Sequence, residues 1–175
     1  MLATLSNLLL TKLNGGVLTM GYHIIANFPS NRDYKGTLKV YNDSGSLVFG
    51  PVEALGRGSN DPKNGNDHTN WRLKYADIPT GVAKTIVYAK GDSDYSYGPY
   101  KRVWLNQAVS GNFLTATNNG RDEIMIHGGD PATSTSLTWY PLRPTYGCIR
   151  LSNSDQRALI QVLEQNGSSG KITIN

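Results

Sequence analysis

Thr145-Tyr146-Gly147-Cys148-Ile149-Arg150 decides how this chain reads, together with Ile124-Met125-Ile126-His127-Gly128-Gly129 upstream; seventeen residues separate His127 from Thr145. The two stretches hold the only cysteine of the sequence and one of its three histidines. Ile124 to Ile126 is an apolar run with the character of a buried strand, and Gly128-Gly129 releases the chain into a loop. His127 therefore stands at a strand end, where loops build sites on a rigid frame. A free thiol, with a pKa of about 8.5, is scarcely ionised at neutral pH, so a cysteine that attacks needs a base or a cation beside it. His127 is the candidate base for Cys148, and the pair predicts a thiol that reacts faster than a free one on the acid side of neutrality. Gly147 removes a side chain next to the sulfur, which admits a substrate carbonyl and frees N–H groups around Cys148 as oxyanion donors. Arg150 shares a face with Cys148 if the segment is extended, and its planar fork suits a substrate carboxylate.

His127, the gap, and then Thr145-x-Gly147-Cys148-Ile149-Arg150 resemble the active-site signature of the L,D-transpeptidase (YkuD-type) family. That signature reads His, a gap of similar length, Ser/Thr-His-Gly-Cys, an apolar residue and often Arg. Tyr146 stands where the family usually has a second His, and its hydroxyl can donate a hydrogen bond where the imidazole would. Ile78-Pro79-Thr80-Gly81-Val82 is similar to the family's Thr-Pro-Thr-Gly turn, and Leu38-Lys39-Val40-Tyr41 through Leu55-Gly56 resembles its opening hairpin. The resemblance implies a mainly β, sandwich or barrel-like catalytic domain with one or two short helices, spanning 21–175 after an N-terminal segment, 1–20, of uncertain character. It also implies a cysteine acyltransferase that cuts a peptidoglycan stem peptide at its L,D bond, holds it as a Cys148 thioester, and passes it to an amine, a D-amino acid or water. Cys148, His127 and Gly147 would carry the chemistry, and Thr145, Tyr146, Gly128, Trp139 and Arg150 would contact substrate. No cofactor is implied.

Bulk properties narrow the classes. A chain of 175 residues with 38% hydrophobic residues makes one globular domain with a sizeable core. The net charge of +4, from 17 basic and 13 acidic residues, comes without a basic run, so nucleic acid is not an expected partner. One cysteine and three scattered histidines, with no Cys-x-x-Cys or His-Glu-x-x-His spacing, make a poor metal constellation. Leu2, Leu5, Leu8, Leu9 and Leu10 are apolar at near-helical spacing, but no basic region precedes them and Lys12 interrupts. Neither a secretory signal nor a membrane span is expected there. The substrate class nevertheless places the protein in the periplasm or cell envelope of a bacterium, with the export route open.

Along the chain, Gly21 to Ala26 reads as a strand, and Asn42 to Ser46 is a turn cluster that makes 37–50 a hairpin. Residues 56–70 are a long polar loop in which His68 reads as a solvated histidine. Gly81 to Lys90, Arg102 to Leu105 and Asn112 to Thr115 read as strands. Asp92 to Tyr100 is a loop whose tyrosines either line a groove or cap the core. Asp130 to Pro144 is broken by prolines and suits a loop crossing the site, with Trp139, Tyr140 and Arg143 as its contact residues. Ser152 to Asp155 caps a helix with Ala158, Leu159, Val162 and Leu163 on one face, Asn166-Gly167 ends it, and Lys171 to Ile174 is a closing strand.

Three functional readings remain open at this level. The first is a cell-wall enzyme acting on stem peptides. The second is an exported antibacterial effector of the same chemistry, which would have an immunity or delivery partner. The third is an inactive peptidoglycan-binding module, with Tyr146 as a sign of lost chemistry.

Overall fold

The computed structural model describes residues 21–175, so the expectations for residues 1–20 lie outside the described residues. Eight strands form one sheet: β1 Tyr22–Asn27, β2 Gly36–Asn42, β3 Leu47–Ala54, β4 Gly81–Lys90, β5 Lys101–Ser110, β6 Met125–His127, β7 Ile149–Arg150 and β8 Ser169–Ile174. Three helices accompany them: α1 Asp94–Tyr97, α2 Gly111–Asn118 and α3 Asn153–Gln165. The period of two in β1, with Tyr22, Ile24 and Ala26 buried and His23 and Ile25 half-buried, shows how these strands form. One apolar face is taken by the core, and the other stays partly wet.

The strand order is β3-β2-β1-β8-β4-β5-β6-β7. β8 lies parallel to β1 and antiparallel to β4, so it joins the hairpin half to the catalytic half. The two outer edges meet at one end. Leu55, just past β3, and Arg150 exchange both backbone hydrogen bonds at 2.9 Å, which brings the sheet close to a barrel, as the mainly β expectation required. Ile24, Leu38, Val103, Ile126, Ile149 and Ile172 fill its interior with Leu159 and Leu163 of α3. No helix among the described residues is long and apolar enough to cross a membrane.

The hairpin expected over 37–50 is β2–β3, and α3 starts at the Ser152 cap, whose hydroxyl accepts the Asp155 N–H. Its buried face is Gln156, Leu159, Ile160 and Leu163, turned slightly from the expected one. Asn112 to Thr115 is not a strand but part of α2. Phe113 and Ala116, three apart, are buried on one face, and Phe113 N–H donates to Thr80 O at 2.8 Å. Helical spacing of two core residues outweighed the β-branched Thr115 and Thr117. A short helix, α1, also forms in the Asp92 to Tyr100 loop, capped by the Ser93 hydroxyl.

Candidate active site

β6 and β7 pair in parallel, Ile126 with Ile149 and His127 with Arg150. This register puts Ile126 and Ile149 into the core on one face. Met125, His127, Cys148 and Arg150 then share the other face, because side chains alternate along each strand. Carried one residue back, the register sets Cys148 opposite Met125 and so diagonal to His127. The sulfur accepts the Met125 N–H at 3.4 Å and donates to Glu123 O at 3.7 Å.

His127 is 2% exposed, and its Nδ1 lies 2.7 Å from Gly128 O. Since a carbonyl only accepts, Nδ1 carries the hydrogen and Nε2 keeps the lone pair. Burial, followed by the charge of Arg150, lowers the imidazole pKa to about 3. Tyr97 of α1 packs its ring edge-on against the imidazole at 5.2 Å. Gly128 N–H donates to Tyr97 O, and Gly129 N–H donates to Asn153 Oδ1 at the start of α3. A Cβ at Gly128 would stand 2.3 Å from that same Oδ1, so the glycine is needed for α3 to approach. Both backbone polar groups of Gly128 are thus used internally. It shapes the histidine rather than presenting a free group to substrate.

On the other side, Thr145 Oγ1 accepts the N–H of Gly147 at 3.2 Å and of Cys148 at 2.8 Å, and donates to Cys148 O at 2.8 Å. The expectation that these two N–H groups stand free for an oxyanion is therefore not met. Cys148 is half-buried as a residue, and burial pushes its thiol pKa up, against the Met125 N–H and the charges of Arg121 and Arg150, which pull it down. A thiol raised and an imidazole lowered leave both groups neutral at rest. Burial is the first cause of both shifts, and it runs against the expectation of a thiol activated on the acid side of neutrality.

Arg121, which no sequence pattern singled out, is the main support of the cysteine loop. It is 3% exposed, and Nη1 donates to Trp71 O and Asp77 O at 2.7 Å, while Nη2 donates to Ala76 O at 3.2 Å and Gly147 O at 3.1 Å. Arg150 is 3% exposed as well. Its Nη1 donates to Gly128 O, and its buried Nε has no hydrogen-bond partner among the described residues. The guanidinium expected to face a substrate carboxylate is turned inward onto the histidine side.

The remaining expected contacts divide. Tyr146 is exposed at the loop surface, its ring 4.8 Å from that of Tyr75 in an edge-on pair. Trp139 lies under the Arg57 guanidinium at 4.5 Å, and Arg57 in turn binds Asp33. The crossing loop thus packs on 33–57, with Arg143 tied to Asp130 O and Tyr95 O. His68 is half-buried rather than solvated. Its Nδ1 meets Asp77 Oδ1 at 2.8 Å, and the same oxygen accepts Gly58 N–H, which anchors the long loop. Two clefts, of about 810 Å³ beside Tyr22 and Lys171 and about 460 Å³ beside Arg32 and Trp71, include neither Cys148 nor His127 in their walls. Thiol and imidazole, not cavity size, mark the site.

Residues 21–173 match the family model described as the L,D-transpeptidase catalytic domain, YkuD. Among solved structures, the chain is similar to the helical cell shape determining protein Pgp2 from Campylobacter jejuni, with a TM-score of 0.52 and 19% identity. The match covers 89% of this chain and 47% of that one. A single-residue variant of the same protein gives the same values. This chain spans about half the length of those structures, and the likeness concerns the fold. No curated protein matches the sequence.

Proposed function

The chain belongs to the L,D-transpeptidase catalytic-domain family, a family of peptidoglycan enzymes, and on that premise we propose that it acylates Cys148 with a peptidoglycan stem peptide. The observation that carries this is the strand register that sets Cys148 diagonal to His127, with Nδ1–H committed to Gly128 O and the lone pair kept on Nε2. His127 Nε2 removes the thiol proton as sulfur attacks the carbonyl at the L,D bond, so the sulfur–carbon bond forms without a thiolate at rest. The carbon–nitrogen bond then breaks, and the imidazolium returns its proton to the leaving D-amino acid. An amine of a second stem, a free D-amino acid or water next attacks the thioester, and the thiol is regenerated. The buried guanidinium groups of Arg121 and Arg150 favour negative charge at Cys148, and the same field favours the oxyanion.

The exposed Tyr146, packed edge-on against the half-buried Tyr75, stands two residues from the thiol and is the side chain of that loop open to a substrate. The substrate places the protein in the bacterial cell envelope. Intact-mass analysis with a purified stem tetrapeptide and a D-amino acid tests the reading, because exchange, hydrolysis and acyl-enzyme each leave a distinct mass. A wild-type protein that gives none of the three would overturn it in favour of a binding module.

A further inference from the structure

Gly147 is glycine for two reasons. Its φ is +97°, a conformation that side chains disfavour, and a Cβ built on it would lie 2.4 Å from Arg121 Nη2. The space beside the cysteine is therefore occupied from within the protein by a guanidinium. That guanidinium draws together three separate segments, Trp71, Ala76-Asp77 and Gly147, through carbonyls alone. No carboxylate hydrogen-bonds to it among the described residues. An arginine buried on carbonyls keeps its charge, the Asp77 carboxylate acting on it only through space, and one face of it is the peptide that leads into Cys148.

From this geometry we infer that Arg121 is a positioning residue for Cys148, fixing the Gly147–Cys148 peptide and supplying the positive charge that makes the thiol ionisable when His127 takes its proton. The inference rests on the proposed role of Cys148. It explains how a buried, neutral thiol is brought within reach of attack: the charge acts on sulfur through a fixed frame, not through a contact that substrate must displace. A lysine carries the same charge but lacks the fork, so it cannot hold four carbonyls in two directions at once. Methionine fills the volume and keeps neither.

The test compares wild type, Arg121→Met and Arg121→Lys in two measurements, iodoacetamide alkylation of Cys148 across pH and turnover of a stem tetrapeptide. The Met variant is expected to move the alkylation midpoint up by about one pH unit, so that alkylation below the midpoint is about tenfold slower while the plateau rate is kept. The Lys variant is expected to keep a midpoint near wild type but to lose at least about tenfold in turnover, since charge remains and orientation does not. A merely structural arginine would lower the melting temperature and leave the midpoint of the folded protein unmoved, and that result in the Met variant would overturn the inference. Should the Met variant fail to fold, the Lys variant decides: full turnover there overturns the inference, and lost turnover with an unmoved midpoint supports it. Alkylation needs no substrate. A wild type inert on tetrapeptide, with the midpoint still shifted in Arg121→Met, would reject the proposed function and leave Arg121 in its role.

Discussion

The cysteine side and the histidine side of the site are each braced by a buried arginine that donates to backbone carbonyls, and the two braces differ in how fully they are used. Arg121 spends both Nη groups on four carbonyls around the Gly147–Cys148 peptide. Arg150 donates Nη1 to Gly128 O, and its buried Nε is without a partner among the described residues. A saturated brace fixes one arrangement, because any movement strands carbonyls that water cannot reach. An unsaturated brace has a donor still to satisfy, and an unmet buried donor costs about 1–3 kcal/mol. The cysteine is therefore the fixed partner of the pair, and the histidine side is where adjustment is cheapest when a stem peptide arrives.

The largest expected effect treats the two sides alike. Cys148→Ala should fold as wild type and abolish the acyl-enzyme mass shift completely; turnover by that variant would break the comparison at its root. Next, His127→Ala should lower turnover by about a hundred- to ten-thousand-fold, the usual loss of a general base, measured as initial rates on one tetrapeptide. The same histidine gives a pH signature. Its pKa is about 3 in the folded protein against 6.5 unfolded, so between those values only the unfolded chain takes up the proton. Stability should fall as pH drops through that window and be fully present above it, and denaturant melts of His127→Ala should show a flatter acid limb.

Smaller effects sharpen the contrast between the braces. Arg121→Met strands four carbonyls, whereas Arg150→Met leaves Gly128 O with the His127 Nδ1–H and removes an orphaned donor, so the first should lower the denaturant midpoint clearly more than the second. Equal losses would show that saturation is not what separates the two sides. The smallest change expected is Tyr146→Phe. The exposed ring is held by Tyr75, and the phenylalanine ring keeps that packing, so turnover should stay within a few fold of wild type. A loss of a hundredfold or more would instead assign the hydroxyl a hydrogen bond to the substrate or oxyanion.

The two sides were also unequally readable in the sequence. The hairpin, α3 and the strand leading to His127 announced themselves through period, caps and turn residues, and the family signature located Cys148. Arg121 left no such trace. It sits in Gly120-Arg121-Asp122-Glu123, a polar run with the look of solvent-facing surface, and its partners are carbonyls, which every residue has. The Thr145 bonds to Gly147 and Cys148 are local and follow from a threonine two and three residues ahead of them. They were hidden only because the same N–H groups also suited an oxyanion. For Arg150, spacing gives the face of the side chain, and tertiary packing decides whether that face meets solvent.

The central place of β8 bears on when this protein can act. Ser169–Ile174 is the last strand in chain order, yet it alone bridges β1 and β4. Until it is synthesised, the nascent chain has a loose hairpin unit and an unfinished catalytic unit with no strand between them. The closure of Leu55 on Arg150, which needs both units in place, must wait for it. Cys148 thus sits in a site whose closure depends on a strand that lies after it in chain order.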